Sequence, residues 1–185
     1  MLEINTQLIR QAQQGDRIVI AELYRHYYLN LFHFLYYRVG DRQTAEDLTS
    51  EVFLRMLNFI GSFNPPSSTF GSWLFEIARN LATDHFRRMG IRNDVDLEEE
   101  MHSNKDEDPL TGVERGLTNE ILRKALHKLN DDQRDVIVLR FVAGMHIGEV
   151  AEALNKSEDA IKGLQRRALA ALRGILIDWE VSYVE

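Results

Sequence analysis

Cysteine is absent from the 185 residues. Disulfides, thiolate metal sites and cysteine nucleophiles are therefore excluded, and a reducing compartment is expected. Proline is scarce, at Pro65, Pro66 and Pro109. None of the three interrupts a periodic segment, which suits an all-α chain. No alternating strand pattern bounded by Asn-Gly or Asp-Gly turns occurs, and no internal repeat. No apolar run approaches the roughly 18 residues of a membrane span. The N-terminal stretch MLEINTQLIRQAQQGD has no signal-peptide core. A cytoplasmic protein without membrane insertion is the expectation. Aromatic residues are nearly missing from the second half: 14 of the 17 Phe, Trp and Tyr precede residue 93. That asymmetry predicts two lobes with differently composed cores.

What charge there is lies unevenly. The net charge of −7 seems to exclude nucleic acid. Residues 1–92, however, hold ten Lys/Arg against nine Asp/Glu, and residues 115–185 hold eleven of each. The acidity is concentrated in residues 93–114, with nine acids and one lysine. This stretch has few large apolar residues and includes Pro109 and Gly112. It is expected to be a flexible acidic linker, because it cannot bury enough surface to offset its ordering entropy. The expected organisation is thus one helical domain over 1–92, a linker over 93–114 and a second helical domain over 115–185. Helix-period segments run roughly over 4–14, 17–38, 41–60, 70–89, 115–129, 131–143, 147–154 and 158–177. Asp16, Asp41 and Asp131 stand where N-caps are expected, and Gly15 and Gly40 end the preceding helices.

In the second lobe, HIGEVAEAL is a short amphipathic helix, Asn155-Lys156-Ser157 breaks it, and EDAIKGLQRRALAALRGIL begins a second helix. Helix, tight turn and helix are the parts of a helix-turn-helix. Ile161, Leu164, Ala168 and Leu172 form the inward stripe of the second helix, with Lys162, Arg166 and Arg173 on a basic stripe beside it. From Ala160 to Ile177 there are four Lys/Arg and no acid. Such a helix suits the major groove: Gln165 pairs with adenine and Arg166 with guanine on geometric grounds. A solvated basic face on a helical hairpin is the plainer alternative. Gly163 serves either close approach to DNA or simple packing.

In the first lobe, LYRHYYLNLFHFLYY has seven aromatics in fifteen residues and reads mostly as core. In DRQTAEDLTSEVFLRML, Leu48, Val52 and one of Met56 or Leu57 face inward, while Asp47, Glu51 and Arg55 share an outer face. A Pro/Ser loop then leads into a helix carrying Phe70, Trp73, Arg79, Asn80, Asp84, Arg87 and Arg88. Aromatics, polar groups and cations around one loop-helix junction suit single-stranded nucleic acid, which needs stacking surfaces for bases and cations for phosphates. Trp73 and Phe70 also make sense as core.

These segments, in this order, resemble bacterial RNA polymerase sigma factors of the extracytoplasmic-function type, the small two-domain group of the sigma-70 family. DRQTAEDLTSEVFLRML and FGSWLFEIARNLATDHFRR match the family's domain 2. LNDDQRDVIVLRFVAGMHIGEVAEALNKSEDAIKGLQRRALAALR matches its domain 4, the helix-turn-helix domain. The resemblance implies two helical domains joined by a variable connector. Its partners are RNA polymerase core (the clamp helices and flap), promoter DNA, and an anti-sigma factor that holds the protein until a signal releases it. It implies core-polymerase contacts at Asp47, Leu48, Glu51, Val52 and Arg55. For the melted −10 element it implies Ser62, Asn64, Ser67, Ser68, Trp73, Asn80, Asp84, Arg87 and Arg88. For the −35 element it implies Ser157, Glu158, Lys162, Gln165, Arg166, Arg167 and Arg173. No catalytic residue, metal ligand or cofactor is implied, and a monomer is expected in the free state. The family's connector runs through the polymerase channels, where negative charge mimics nucleic acid; an inert tether fits residues 93–114 nearly as well. The chain departs from the usual pattern at Asn155 (often Gly), Ala160 (often Thr) and Gly163 (often Ser). Asn tolerates the left-handed turn, so the fold is expected to survive.

Two other functions compete. One is an autonomous, dimeric helix-turn-helix regulator with an N-terminal signal domain. The other is a metal-dependent enzyme using Glu22, His26 and His33, although no HExxH or paired-carboxylate signature is present. Whether the two lobes pack together in the free state is left open by the sequence.

Overall fold

In the computed structural model the residues described are 4–64, 69–90 and 121–182, with side chains through residue 179. All regular structure among them is helical. The expected linker lies outside the described residues. The first lobe contains α1 (Thr6–Gln13), α2 (Arg17–Val39), α3 (Arg42–Phe59), a 3₁₀ turn (Ile60–Ser62) and α4 (Phe70–Arg88). The second contains α5 (residues 121–127), α6 (Asp131–Ile137), a π turn (Val138–Val142), α7 (Ile147–Leu154) and α8 (Glu158–Ser182).

Local chemistry fixes most boundaries. Asn5, Asp16, Asp41 and Thr69 cap α1 to α4, each side-chain oxygen accepting an otherwise orphaned N–H of the first turn. The hydrogen bond from the Thr44 N–H, 2.7 Å long, holds the Asp41 carboxyl below its usual pKa. Gly40 closes α2 at φ +80°, a left-handed conformation that a Cβ would strain. At α6 the cap is Asn130, whose Oδ1 accepts from the Gln133 N–H at 3.0 Å; Asp131, expected as the cap, is the first helical residue instead. Either residue type can cap, and the backbone chooses Asn130. Asp131 at the first position still favours the positive end of the helix dipole.

In the first lobe α2, α3 and α4 pack around Leu23, Leu31, Phe34, Leu35, Val52, Leu74 and Phe75, all essentially inaccessible. Phe34 and Phe75 meet edge to face at 5.6 Å. Each fully buried aliphatic or aromatic chain here contributes about 1.5–3 kcal/mol. The second lobe is built on aliphatics: Leu126, Val136, Leu139, Val150, Leu154 and Ile161. Arg134, nearly buried, donates to the carbonyls of Leu126 and Leu129 at 3.1 and 3.0 Å. It thereby satisfies acceptors orphaned at the end of α5.

The two lobes are in contact, and their buried residues form one cluster running from Ile9 to Leu172. Whether the lobes pack together was left open by the sequence; among the described residues they do. Arg38, from the last turn of α2, is buried and ion-paired with Asp135 of α6. It also reaches Asp131 at 3.3 Å. Arg79 of α4 reaches Asp135 at 3.3 Å and Asp132 at 3.4 Å. Helix α7 lies against α4, where Ser72 Oγ donates to the Glu149 carbonyl at 2.9 Å and the Thr69 N–H donates to Glu152 Oε2 at 2.9 Å.

Candidate nucleic-acid interface

The loop after α3 begins with a 3₁₀ turn tied down from outside its own segment. Gln13 Nε2 donates to the carbonyls of Ile60 and Phe63 at 3.0 and 2.8 Å. Neither Gln13 nor this restraint was expected from the sequence; a lone glutamine at a helix end gives no signal. Ser62 Oγ donates back to the Phe59 carbonyl at 2.8 Å, and Asn64 is exposed. Ser67 and Ser68 lie outside the described residues. The chain re-enters helix at Thr69, whose Oγ1 accepts from the Ser72 N–H at 3.2 Å.

Trp73 is half-buried, 5.0 Å from the ring of Phe63 and 5.5 Å from that of Phe70. It belongs to this aromatic cluster and keeps part of its surface in solvent. Asn80, Asp84 and Arg87 follow Trp73 on the same side of α4 at helical spacing. Asp84 pairs with Arg87 at 3.1 Å, while Arg88 is exposed. Arg87 remains 76% exposed, so the pair holds it weakly. Arg79 and Thr83 lie on the neighbouring side, toward α6: Arg79 reaches Asp132 and Asp135, and Thr83 Oγ1 contacts Arg38 at 3.5 Å. Gly71 sits close to Tyr27: a Cβ there would meet its ring at 3.3 Å. Burial, with Glu149 second, pushes the Tyr27 phenol up to about 12.

The second lobe displays the parts of the helix-turn-helix. Asn155 takes the left-handed conformation at φ 52° and ψ 51°, so the turn is made without glycine. Ser157 Oγ accepts from the Ala160 N–H at 3.2 Å and caps α8. Ile161, Ala168 and Leu172 are buried, and Leu164 is half-buried. Glu158, Lys162, Arg166, Arg167 and Arg173 are exposed, as is Ser157. Lys162 is partly neutralised on its own helix, by Asp159 at 3.2 Å and Glu158 at 3.8 Å. Gln165 accepts from Arg140 Nε at 3.3 Å, which orients its amide. A Cβ on Gly163 would meet the guanidinium of Arg167 at 3.3 Å, a contact that this exposed side chain can relieve by moving.

On α3, Asp47 is exposed, and Glu51 pairs with Arg55 at 3.0 Å. Leu48 is half-buried. Val52 is 0% exposed and lies in the core, so it cannot touch a partner here; it supports the face from beneath. Met56 takes the inward position and Leu57 does not. Leu54, Leu57 and Phe59 are exposed apolar residues of the same helix. Sequence reasoning missed them because periodicity marks what is buried and says nothing of which leftover apolar residues cluster outside.

Among the described residues no group of three metal-ligating side chains occurs, and no helix is long and apolar enough to cross a membrane.

The comparisons agree with this geometry in both lobes. The family model for sigma-70 region 2 matches residues 23–90, and that for sigma-70 region 4 matches residues 125–174. The ECF RNA polymerase sigma factor BldN of Streptomyces coelicolor is 41% identical over 173 residues, covering 93% of this chain; the match spans 66% of that relative's length. The ECF RNA polymerase sigma factor SigX of Bacillus subtilis is 38% identical over 157 residues, covering 82% of this chain and 80% of that protein. The solved structure of CnrH in complex with the cytosolic domain of CnrY shares the fold, with a TM-score of 0.72, 24% identity, and coverage of 92% of this chain and 96% of that one.

Proposed function

The chain belongs to the ECF RNA polymerase sigma factors, carrying sigma-70 regions 2 and 4, and from that premise we propose that it directs RNA polymerase core to one class of promoter. The region 2 domain, residues 1–92, docks on the clamp helices through Asp47, Leu48, Glu51 and Arg55. It traps the melted −10 strand at the loop that includes Ser62 and Asn64 and along Trp73, Asn80, Asp84, Arg87 and Arg88. The region 4 domain, residues 115–185, sits on the flap and reads the −35 element with the exposed stripe of α8. Residues 93–114 connect the two. The factor supplies base readout and strand trapping; the polymerase supplies the covalent chemistry, so no catalysis by this chain is invoked. Melting is driven because unstacked bases bind better than paired ones. As family membership implies, an anti-sigma factor holds the protein until a signal releases it.

The observation that supports this reading best is the pairing of two unlike surfaces in one chain. One is an aromatic and cationic loop-helix junction suited to unstacked bases. The other is a capped helix-turn-helix with its cations in solvent. The test is run-off transcription with purified core polymerase on a genomic promoter library. Initiation from a discrete promoter class, dependent on the added protein, is expected. Operator binding by the protein alone, with no association with core, would overturn the proposal in favour of an autonomous regulator.

A further inference from the structure

We infer that Arg140 sets the base preference of Gln165: it holds the Gln165 amide so that α8 offers donors to guanine and withholds an acceptor from adenine. The inference rests on the functional reading above and adds a specificity device to the same −35 site.

A free glutamine amide can turn over, and either end can then meet a base. Here the choice is removed. Arg140 Nε donates to Gln165 Oε1 at 3.3 Å. A guanidinium has donors and no acceptor, so only the oxygen of the amide can face it. The turned-over amide would set N–H against N–H beside a full positive charge and forfeit a charge-assisted hydrogen bond. Both ends of the contact are fixed. Another nitrogen of the same guanidinium donates to the Met145 carbonyl, shortly before α7. Arg140 belongs to the π turn, whose Val138 and Leu139 are 1% and 0% exposed. Gln165 stands on α8 between the buried Ile161 and Ala168 and is itself half-buried. Lys162 and Arg166, both exposed, flank it on the solvent side. Gln165 therefore lies at the edge of the stripe proposed to enter the groove.

In the major groove adenine shows its N7 acceptor beside the N6 amino donor, whereas guanine shows two acceptors, N7 and O6. A glutamine free to choose pairs with adenine through both its oxygen and its amino group, the pairing expected from the sequence. With Oε1 already accepting from a cation, an adenine N6 amino group brought to it would meet the guanidinium charge at close range. The amino end gains what the oxygen loses, because a hydrogen bond from a charged donor polarises the amide and strengthens its N–H groups. Those donors match guanine N7 and O6. Guanine is thus expected first and cytosine, which shows only the N4 donor, last. Arg140 is a positioning residue: it acts on the base through Gln165.

The test uses holoenzyme, the full-length protein with core polymerase. Its templates form a promoter pool randomised over the −35 element, each with a downstream barcode that its transcript reports. Gln165→Ala identifies the position that Gln165 reads, as the one whose base preference flattens. There the wild type is expected to favour guanine over adenine about tenfold. Arg140→Met frees the amide and is expected to move that ratio about tenfold toward adenine, with the other positions within about twofold. Arg140→Lys keeps a charged donor and no acceptor, and is expected to keep guanine ahead. A merely structural role for Arg140 would lower initiation from all sequences alike and leave the ratio unmoved. Adenine favoured by the wild type, an unmoved ratio in Arg140→Met, or no position flattened by Gln165→Ala would overturn the inference while protein-dependent initiation leaves the functional reading in place. Should Arg140→Met fail to fold, the wild-type preference decides: guanine supports the inference and adenine ends it. If no version directs initiation by core polymerase, the functional reading itself fails, and this inference with it.

Discussion

The two lobes differ in how their cations are balanced. On α8 the cations point into solvent and are compensated, where at all, by acids of their own helix, as Lys162 is by Asp159. On the first lobe, Arg38 and Arg79 are taken up by acids of the other lobe, and the first N–H before α4 is taken up by Glu152. A face balanced within its own helix is available at all times. Arg38 and Arg79 are balanced from across the interface, whereas Arg87 of the same lobe is balanced by Asp84 of its own helix. The difference teaches that the interlobe contact engages Arg38 and Arg79 and leaves Arg87 and Arg88, the cations of the proposed strand-binding face, in solvent.

The largest effect is expected from Arg38→Ala. It leaves Asp135, 1% exposed, with only Arg79 as partner and most of its charge uncompensated. Burial already pushes the Asp135 carboxyl up, against the pull of Arg38 and Arg79. A loss of about 3–5 kcal/mol is expected by urea denaturation. A loss under about 1 kcal/mol would break the contrast, since the interlobe contact would then be held by nothing strong. Arg38→Met with Asp135→Leu is expected to recover most of the stability, because an apolar pair of similar volume avoids the desolvation cost.

The next expected effect is on pH dependence. His127 packs against Gly40, its two ring nitrogens find no hydrogen-bond partner among the described residues, and Arg134 and Arg123 face it. Burial, then those two cations, lowers its pKa from 6.5 to about 4. A depressed folded value means that the unfolded chain takes the proton more readily. The neutral ring's contribution is complete above pH 6.5 and is lost as pH falls toward 4, on the order of 3 kcal/mol in all. The raised Asp135 carboxyl acts in the opposite sense, so the slope is assigned by difference: His127→Gln is expected to flatten the stability profile between pH 6.5 and 4. An unchanged profile would remove His127 from the interface.

Smaller again is the loss from Arg166→Ala, about 1–3 kcal/mol in −35 duplex binding if Arg166 meets a guanine edge. Lys162→Ala is expected to cost less than a full phosphate contact, because its own helix already neutralises part of the charge. Neither substitution should alter single-strand binding, as measured by anisotropy. If either did, the two faces would not be separable. Ser157→Ala, which removes the cap of α8, is expected to lower the melting stability by about 1 kcal/mol.

Much of the fold was legible because its signals are local. Asp16, Asp41 and Ser157 cap helices by reaching three residues along the chain, and Gly40 and Asn155 turn the backbone where they stand. The period of α8 likewise told which residues face out. Asn130 was passed over for Asp131 because adjacent capping types differ only in backbone setting. The interlobe cluster was not legible. Arg38 and Asp135 are 97 positions apart, and each alone looks like an ordinary charge on an amphipathic helix. Val52 shows the reverse difficulty: its period placed it inward, whereas family resemblance had put it on a contact surface.

The absence of cysteine makes the decisive measurement direct, since two engineered thiols can be labelled without background. Labels at Gln11→Cys on α1 and Leu176→Cys on α8, both exposed, report the separation of the lobes by resonance energy transfer. A closed free protein, with label separation within about 40 Å, is predicted to open by tens of ångströms on joining core polymerase and promoter. A separation that stays the same in the two states would contradict a single chain whose lobes part to grip two promoter elements.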